Sequence, residues 1–126
     1  MKRIMLKAKL HHARVTETKI DYEGSLALDE ELIRAADMLP FEKVHVYNVS
    51  NGERFATYLI KAEKGSGKVG VYGAAAHRAK VGDRLIVVSY VVVDEEETDF
   101  FMPKILILDA DNRVIEVKQS RSCAQS

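Results

Sequence analysis

Apolar and polar positions alternate along most of this chain at the period of two that a half-buried strand requires. Ile4 to Leu10 mixes aliphatic residues with lysines in that rhythm. Val15 to Tyr22 repeats it with the β-branched Val15, Thr16, Thr18 and Ile20. Gly24-Ser25 interrupts this second run, and the short apolar Leu26-Ala27-Leu28 follows. Val44 to Val49, Arg54 to Ile60, Leu85 to Val93, Ile105 to Leu108 and Val114 to Val117 complete the set of predicted strands. Alternation in the run from Arg54 puts Arg54, Ala56 and Tyr58 on one face, and Phe55, Thr57 and Leu59 on the other.

The helical period occurs early. Asp29 offers an N-cap, Glu30 and Glu31 suit a first turn, and Leu32, Ala35, Ala36 and Leu39 recur at helical spacing up to Pro40. A helix of two or three turns is expected there. Asn51-Gly52 predicts a type I′ hairpin, whose two central positions both need positive φ. Lys64-Gly65-Ser66-Gly67-Lys68 predicts a flexible connection; it lacks the spacing and the Ser/Thr of a phosphate loop. Val81-Gly82-Asp83 and Asp111-Asn112 predict turns, and Asp94 to Glu97 a solvated acidic loop. Short strands, frequent turns and one or two short helices predict a small β-barrel rather than a parallel α/β fold. No linker or repeat divides residues 1–126, so a single domain is expected.

Composition narrows the functions more than the fold. The 126 residues carry 19 Lys+Arg against 19 Asp+Glu, a formal net charge of zero. That argues against broad electrostatic capture of nucleic acid or of an anionic membrane surface. Lys7 and Lys9 interrupt any apolar run near the N-terminus, so neither a signal peptide nor a membrane span is expected and the cytoplasm is the expected location. The single cysteine, Cys123, sits in a polar tail from Gln119 to Ser126, a poor place to hold a nucleophile. His11 and His12 are neighbours in a predicted strand, where adjacent side chains point to opposite faces and do not share a metal ion.

Familiar catalytic signatures are missing: there is no HExxH, paired CxxC or Rossmann glycine fingerprint. An enzyme built on this chain would make its electrophile from its own residues, with no metal and no pyridoxal phosphate. Gly24-Ser25 could supply one. A serine hydroxyl can attack the carbonyl before it, and glycine there removes the Cβ that would obstruct the attack and permits an unusual backbone conformation. The amide becomes an ester; elimination leaves dehydroalanine, and loss of ammonia by hydrolysis leaves a pyruvoyl group. Such a group forms a Schiff base with an amine and acts as an electron sink. Separately, Gly73-Ala74-Ala75-Ala76 offers little side-chain bulk, so a small ligand could approach the main chain there; a tightly packed turn is the alternative.

Lys9-Leu10-His11, Tyr22-Glu23-Gly24-Ser25, Asn51-Gly52-x-Arg54-x-x-Thr57-Tyr58 and Gly73-Ala74-Ala75-Ala76-His77 occur in one order. As a set in register, from about residue 1 to residue 118, they resemble the pyruvoyl-dependent aspartate 1-decarboxylases, bacterial enzymes that make β-alanine for pantothenate. The resemblance implies a six-stranded double-psi β-barrel, assembled as a homotetramer with active sites between subunits. It implies cleavage between Gly24 and Ser25 into chains 1–24 and 25–126, with Ser25 becoming the pyruvoyl group. Tyr58 is then the proton donor after carbon dioxide leaves. Thr57 belongs to the cleavage step and the substrate site, and Gly73, Ala74 and Ala75 line the substrate, L-aspartate. Lys9 and Arg54 supply charge for its two carboxylates, arginine being suited to two-point recognition. Many members of that family have asparagine where this chain has Tyr72. The phenol either slows self-processing and reshapes the pocket, or simply packs against a neighbour. The rival functions are a non-catalytic barrel that binds a protein or ligand, and a pyruvoyl decarboxylase of another amino acid.

Overall fold

In the computed structural model the described residues are 1–119; Cys123 and most of the polar tail lie outside them. Nine strands form one mixed sheet: β1 (Lys2–Arg14), β2 (Glu17–Lys19), β3 (Ser25–Asp29), β4 (Lys43–Asn48), β5 (Arg54–Ala62), β6 (Val69–Tyr72), β7 (Arg84–Asp94), β8 (Lys104–Leu108) and β9 (Val114–Lys118). Their order across the sheet is β2-β6-β3-β5-β4-β7-β1-β8-β9. Three pairs, β1–β8, β2–β6 and β3–β5, run parallel within an otherwise antiparallel arrangement. The mainly β expectation holds, with nine strands among the described residues.

One apolar cluster takes its members from most of these strands, among them Leu10, Leu26, Leu28, Val44, Val46, Leu59, Val71, Val87 and Leu106. The register explains how. Leu10 pairs with Val87, Val87 with Val46 and Val46 with Phe55, so a single row of side chains crosses β1, β7, β4 and β5 on the core side. Burial of such a row is the main favourable term in the fold, at roughly 25 cal/mol per Å² of apolar surface. Arg54, Ala56 and Tyr58 occupy the other face of β5, as their alternation predicts, while Leu59 is fully buried and Phe55 packs against the core.

The one α-helix among the described residues, α1, covers Glu30–Ala35 and is capped by Asp29 as expected, but it stops well before Pro40. Asp37 adopts φ +56, and the Asp37 and Met38 amides bond back to the Arg34 and Ile33 carbonyls. This is a Schellman closure, made here by an aspartate that tolerates the left-handed region. Leu39, expected on the helical face, is left exposed.

Asn51-Gly52 does not form a type I′ turn. Only Gly52 has positive φ, and its amide reaches back to the Asn48 carbonyl in a wider loop. Asn51 contributes through its side chain instead, accepting from the Glu53 amide and donating to the Arg78 carbonyl. His11 and His12 also depart from expectation. A bulge between His11 and Ala13, with φ +68 at His12, stacks the two rings 3.9 Å apart instead of sending them to opposite faces. No group of three or more metal-ligating side chains occurs among the described residues. No helix there is long and apolar enough to cross a membrane.

Candidate active site

Ser25 opens β3, with β5 on one side and β6 on the other. Its side chain is 1% exposed, whereas Tyr22 to Gly24 just before it are exposed. The hydroxyl donates to the Glu23 carbonyl at 3.4 Å, which turns it back across Gly24. That bond is long, so the oxygen is held loosely. Gly24 itself is not in the left-handed region, and a Cβ on it would meet only the Tyr72 carbonyl oxygen at 4.0 Å. What it offers is the absence of a Cβ beside the bond.

The steric demand lies at Gly73 instead. Gly73 has φ +75, and a methyl group there would sit 2.6 Å from Gly24 Cα, 2.8 Å from Gly24 N and 2.9 Å from the Tyr22 carbonyl oxygen. No larger residue fits without displacing the segment before Ser25. From Gly73 the chain makes a single 3-10 turn through His77, leaving Ala74 exposed while Ala75 packs on the core. Of the three small residues expected to line one wall, Gly73 therefore presses on the candidate cleavage segment and Ala75 is partly taken up by packing.

Tyr72 pairs directly with Ser25 across β6 and β3. Its phenol, however, turns away from Ser25 and donates to the Glu17 carboxylate. The ring lies over Gly70, where a Cβ would come within 2.7 Å of the ring's Cζ and Oη. Burial, then the bond to Glu17, pushes the Tyr72 phenol far above its usual range. The Tyr72 hydrogen bond in turn draws the Glu17 carboxyl below its usual range. Tyr72 packs against Gly70 and is bonded to Glu17. Glu17 and Gly70 went unnoticed in the sequence, although the isolated glycine in Val69-Gly70-Val71 is the signal that something lies across the backbone there.

The remaining candidates do not gather at one place. Leu26 pairs with Leu59, so continuing the register brings Ser25 level with Tyr58, and Gly24 level with Thr57. Tyr58 is half-buried, with the exposed Phe41 ring 6.3 Å away. Lys9 and Arg54 lie elsewhere on the same outward face. Lys9 pairs with Val88, Val88 with His45 and His45 with Ala56, so it stands three strands from β5. Arg54 extends over the Tyr47 ring at 4.5 Å, toward the side from which Lys9 comes, and the Tyr47 hydroxyl meets that of Tyr90 at 2.9 Å. Neither Lys9 nor Arg54 has a carboxylate partner among the described residues.

A buried serine after a glycine, with Gly73 backbone packed against the segment that leads into that pair, marks a small β-sheet protein with a defined Gly-Ser bond at its candidate site. The family model "Aspartate decarboxylase" matches residues 1–115, and the chain belongs to that family. Aspartate 1-decarboxylase of Ralstonia nicotianae is 53% identical over 118 residues, which is 94% of this chain and 98% of that protein. The Bordetella avium protein of the same name is 51% identical over 119 residues, covering 94% and 98%. Likeness to solved structures is slight: a rationally designed protein, mkDPBB_sym_86, superposes with TM-score 0.47 at 16% identity over 64% of this chain and 94% of that one.

Proposed function

We propose that this chain is an L-aspartate α-decarboxylase that makes its own pyruvoyl group from Ser25 and releases β-alanine, the pantothenate precursor, and carbon dioxide. Membership of the family supports the reaction. The observation that carries the site is Ser25 itself, buried, with its hydroxyl turned back across Gly24 and Gly73 packed on that segment. In the first step the Ser25 Oγ adds to the Gly24 carbonyl carbon, its proton passes to the Ser25 nitrogen, and the C–N bond breaks to leave an ester. Loss of the Ser25 α-proton then expels Gly24 as a carboxylate. Addition of water to the resulting dehydroalanine, with release of ammonia, balances the conversion and ends chain 1–24 and begins chain 25–126.

The residues present fit such a group. Position 25 is buried between two strands, and no bulky side chain stands at Gly24 or Gly73. When formed, the pyruvoyl carbonyl supplies a covalent electron sink for a substrate amine. Tyr58, level with position 25 on the outward face, returns a proton to the substrate carbon. Thr57, level with Gly24 on the other face of β5, assists cleavage. Gly73, Ala74 and Ala75 confine the substrate, and Lys9 and Arg54 take its carboxylates, the anchored one more firmly than the departing one.

The spacing on the outward face favours a shared site. Arg54 is four residues from Tyr58 along β5, about 13 Å at the rise of an extended strand. Lys9 is three strands from β5, about 14 Å at the usual interstrand spacing. By these backbone spacings Lys9, Arg54 and the Ser25–Tyr58 pair all stand apart from one another within one chain. We take the active sites to lie between the subunits of a cytoplasmic homotetramer, where a second copy contributes side chains. The same reading takes the mixed parallel and antiparallel pairing as an elaborated six-stranded double-psi β-barrel.

Intact-mass analysis of warmed protein, with carbon dioxide release from aspartate, glutamate and cysteine sulfinate, tests the proposal. Two chains, the longer beginning in pyruvoyl, and preference for aspartate are expected. Ser25→Ala stays intact and inactive, and Tyr58→Phe cleaves but loses most turnover. A single unbroken wild-type chain after prolonged warming sinks the proposal.

A further inference from the structure

We infer that Tyr72, anchored on Glu17 and seated on Gly70, is a positioning residue for self-cleavage: its ring grips Tyr22 and thereby holds the Tyr22–Gly24 segment against Gly73. The inference rests on the self-cleavage reading and assigns the phenol a use in it. Two adjacent rows on the outward face define the grip. Lys19, Tyr72 and Ser25 pair across β2, β6 and β3, and Glu17, Gly70 and Ala27 form the next row. Because Gly70 has no side chain and Ala27 a small one, the Tyr72 ring can fold back along its own strand until its hydroxyl meets Glu17. Glu17 is itself braced by the Lys68 ammonium at 3.5 Å.

That fold-back leaves the ring beside Tyr22, with centroids 4.8 Å apart and planes tilted by 56°, a favourable aromatic arrangement. The Lys19 ammonium stands 5.8 Å from the Tyr22 ring and 5.6 Å from the Tyr72 ring, adding cation–π attraction to both. The gripped segment needs such help. Outside the strand ladders, the hydrogen bond from Ser25 to the Glu23 carbonyl is the one hydrogen bond made to Tyr22–Gly24 among the described residues. Consecutive residues thus hold the segment from two directions, Tyr72 through a ring and Gly73 through bare backbone. Once the bond after Gly24 is cut, the grip holds only the end of the short chain, so it bears on processing and not on turnover.

The test follows cleavage of full-length precursor over time on a denaturing gel with intact mass. Variants are Tyr72→Phe, Glu17→Leu, Glu17→Gln and the double Glu17→Leu/Tyr72→Phe. Tyr72→Phe and Glu17→Leu each slow cleavage roughly tenfold, the scale expected from losing one charge-assisted hydrogen bond. The double variant is no slower than either single one, because both remove the same bond. Glu17→Gln, whose amide oxygen still accepts from the phenol, cleaves close to the wild-type rate. Carbon dioxide release per pyruvoyl-bearing chain is unchanged in Glu17→Leu. Wild-type cleavage rates in both single variants, or losses that multiply in the double, overturn the grip while leaving self-cleavage standing. A wild-type precursor that never cleaves overturns both.

Discussion

Strand β3 is five residues long, and its two ends are built in opposite ways. At its C-terminal end the Asp29 carboxylate accepts from the backbone amides of Glu31 at 2.8 Å, Gly65 at 2.9 Å and Gly67 at 2.8 Å, with the Arg113 guanidinium at 3.8 Å. At its N-terminal end the Ser25 hydroxyl has one contact at 3.4 Å. Both side chains are buried to the same degree. Burial alone therefore does not distinguish a structural polar group from a reactive one; saturation of its hydrogen bonds does. The Asp29 end fixes the strand to α1 and to the turn before β6. The Ser25 end is positioned by its neighbours' backbone and left with an oxygen free to form a new bond.

The sharpest way to break this contrast is to disturb the reactive end without touching the anchored one. Gly73→Ala places a methyl group inside the Tyr22–Gly24 backbone and asks alanine to hold φ +75. The segment must move by an ångström or so, and misplacement on that scale costs on the order of 100-fold in rate. Cleavage of the precursor is expected to slow by about that factor, read on a gel over time. A Gly73→Ala chain that cleaves normally would show that contact with Gly73 does not set the geometry of the bond.

Asp29→Ala makes the converse cut. It removes three amide-to-carboxylate bonds at once, one of them the cap of α1, for a loss of about 3 kcal/mol in unfolding free energy. Cleavage well below the unfolding temperature should keep the wild-type rate, because nothing at Ser25 has changed. Urea unfolding in a Ser25→Ala background measures the first quantity without interference from chain breakage. A variant that lost cleavage but not stability would reverse the roles given to the two ends.

How much of this was legible beforehand differs between the ends as well. Most strand runs, the Asp29 cap and the two faces of β5 follow from local alternation and capping chemistry, and the structure keeps them, although the Val15–Tyr22 run shortens to the three-residue β2. The partners of Asp29 could not be read, because the Gly65-Ser66-Gly67 stretch that looks flexible is a turn held by a carboxylate 36 and 38 residues away in sequence. At the other end Gly24-Ser25 was conspicuous only through the motifs around it. The crowding at Gly73 arises from pairing β3 with β6, which no local pattern encodes, and the seat at Gly70 is signalled only by an isolated glycine within a strand. The same limit applies to Asn51-Gly52, where a strong turn signal met a register that demanded a longer loop.

The smallest expected effect separates the two carboxylates by pH. Asp29 and Glu17 both ionise below their usual ranges, for different reasons. Burial would raise Asp29, but the Gly67, Glu31 and Gly65 amides together with Arg113 outweigh it. Glu17 is lowered chiefly by the Tyr72 hydroxyl. A carboxyl whose folded value is depressed stabilises the fold fully above its unfolded value and loses that contribution as the pH falls through the folded one. The loss therefore belongs to the acid side, below the reference values of 3.8 for Asp29 and 4.5 for Glu17. In the Ser25→Ala background, thermal midpoints between about pH 7 and about pH 3 should fall on acidification. Asp29→Asn should flatten that fall more than Glu17→Gln, since three amides and a guanidinium face the buried charge while Glu17 is partly open to water. If Glu17→Gln flattened it more, the anchored end of the strand would be the Tyr72 end, and the contrast between the two ends of β3 would have to be redrawn.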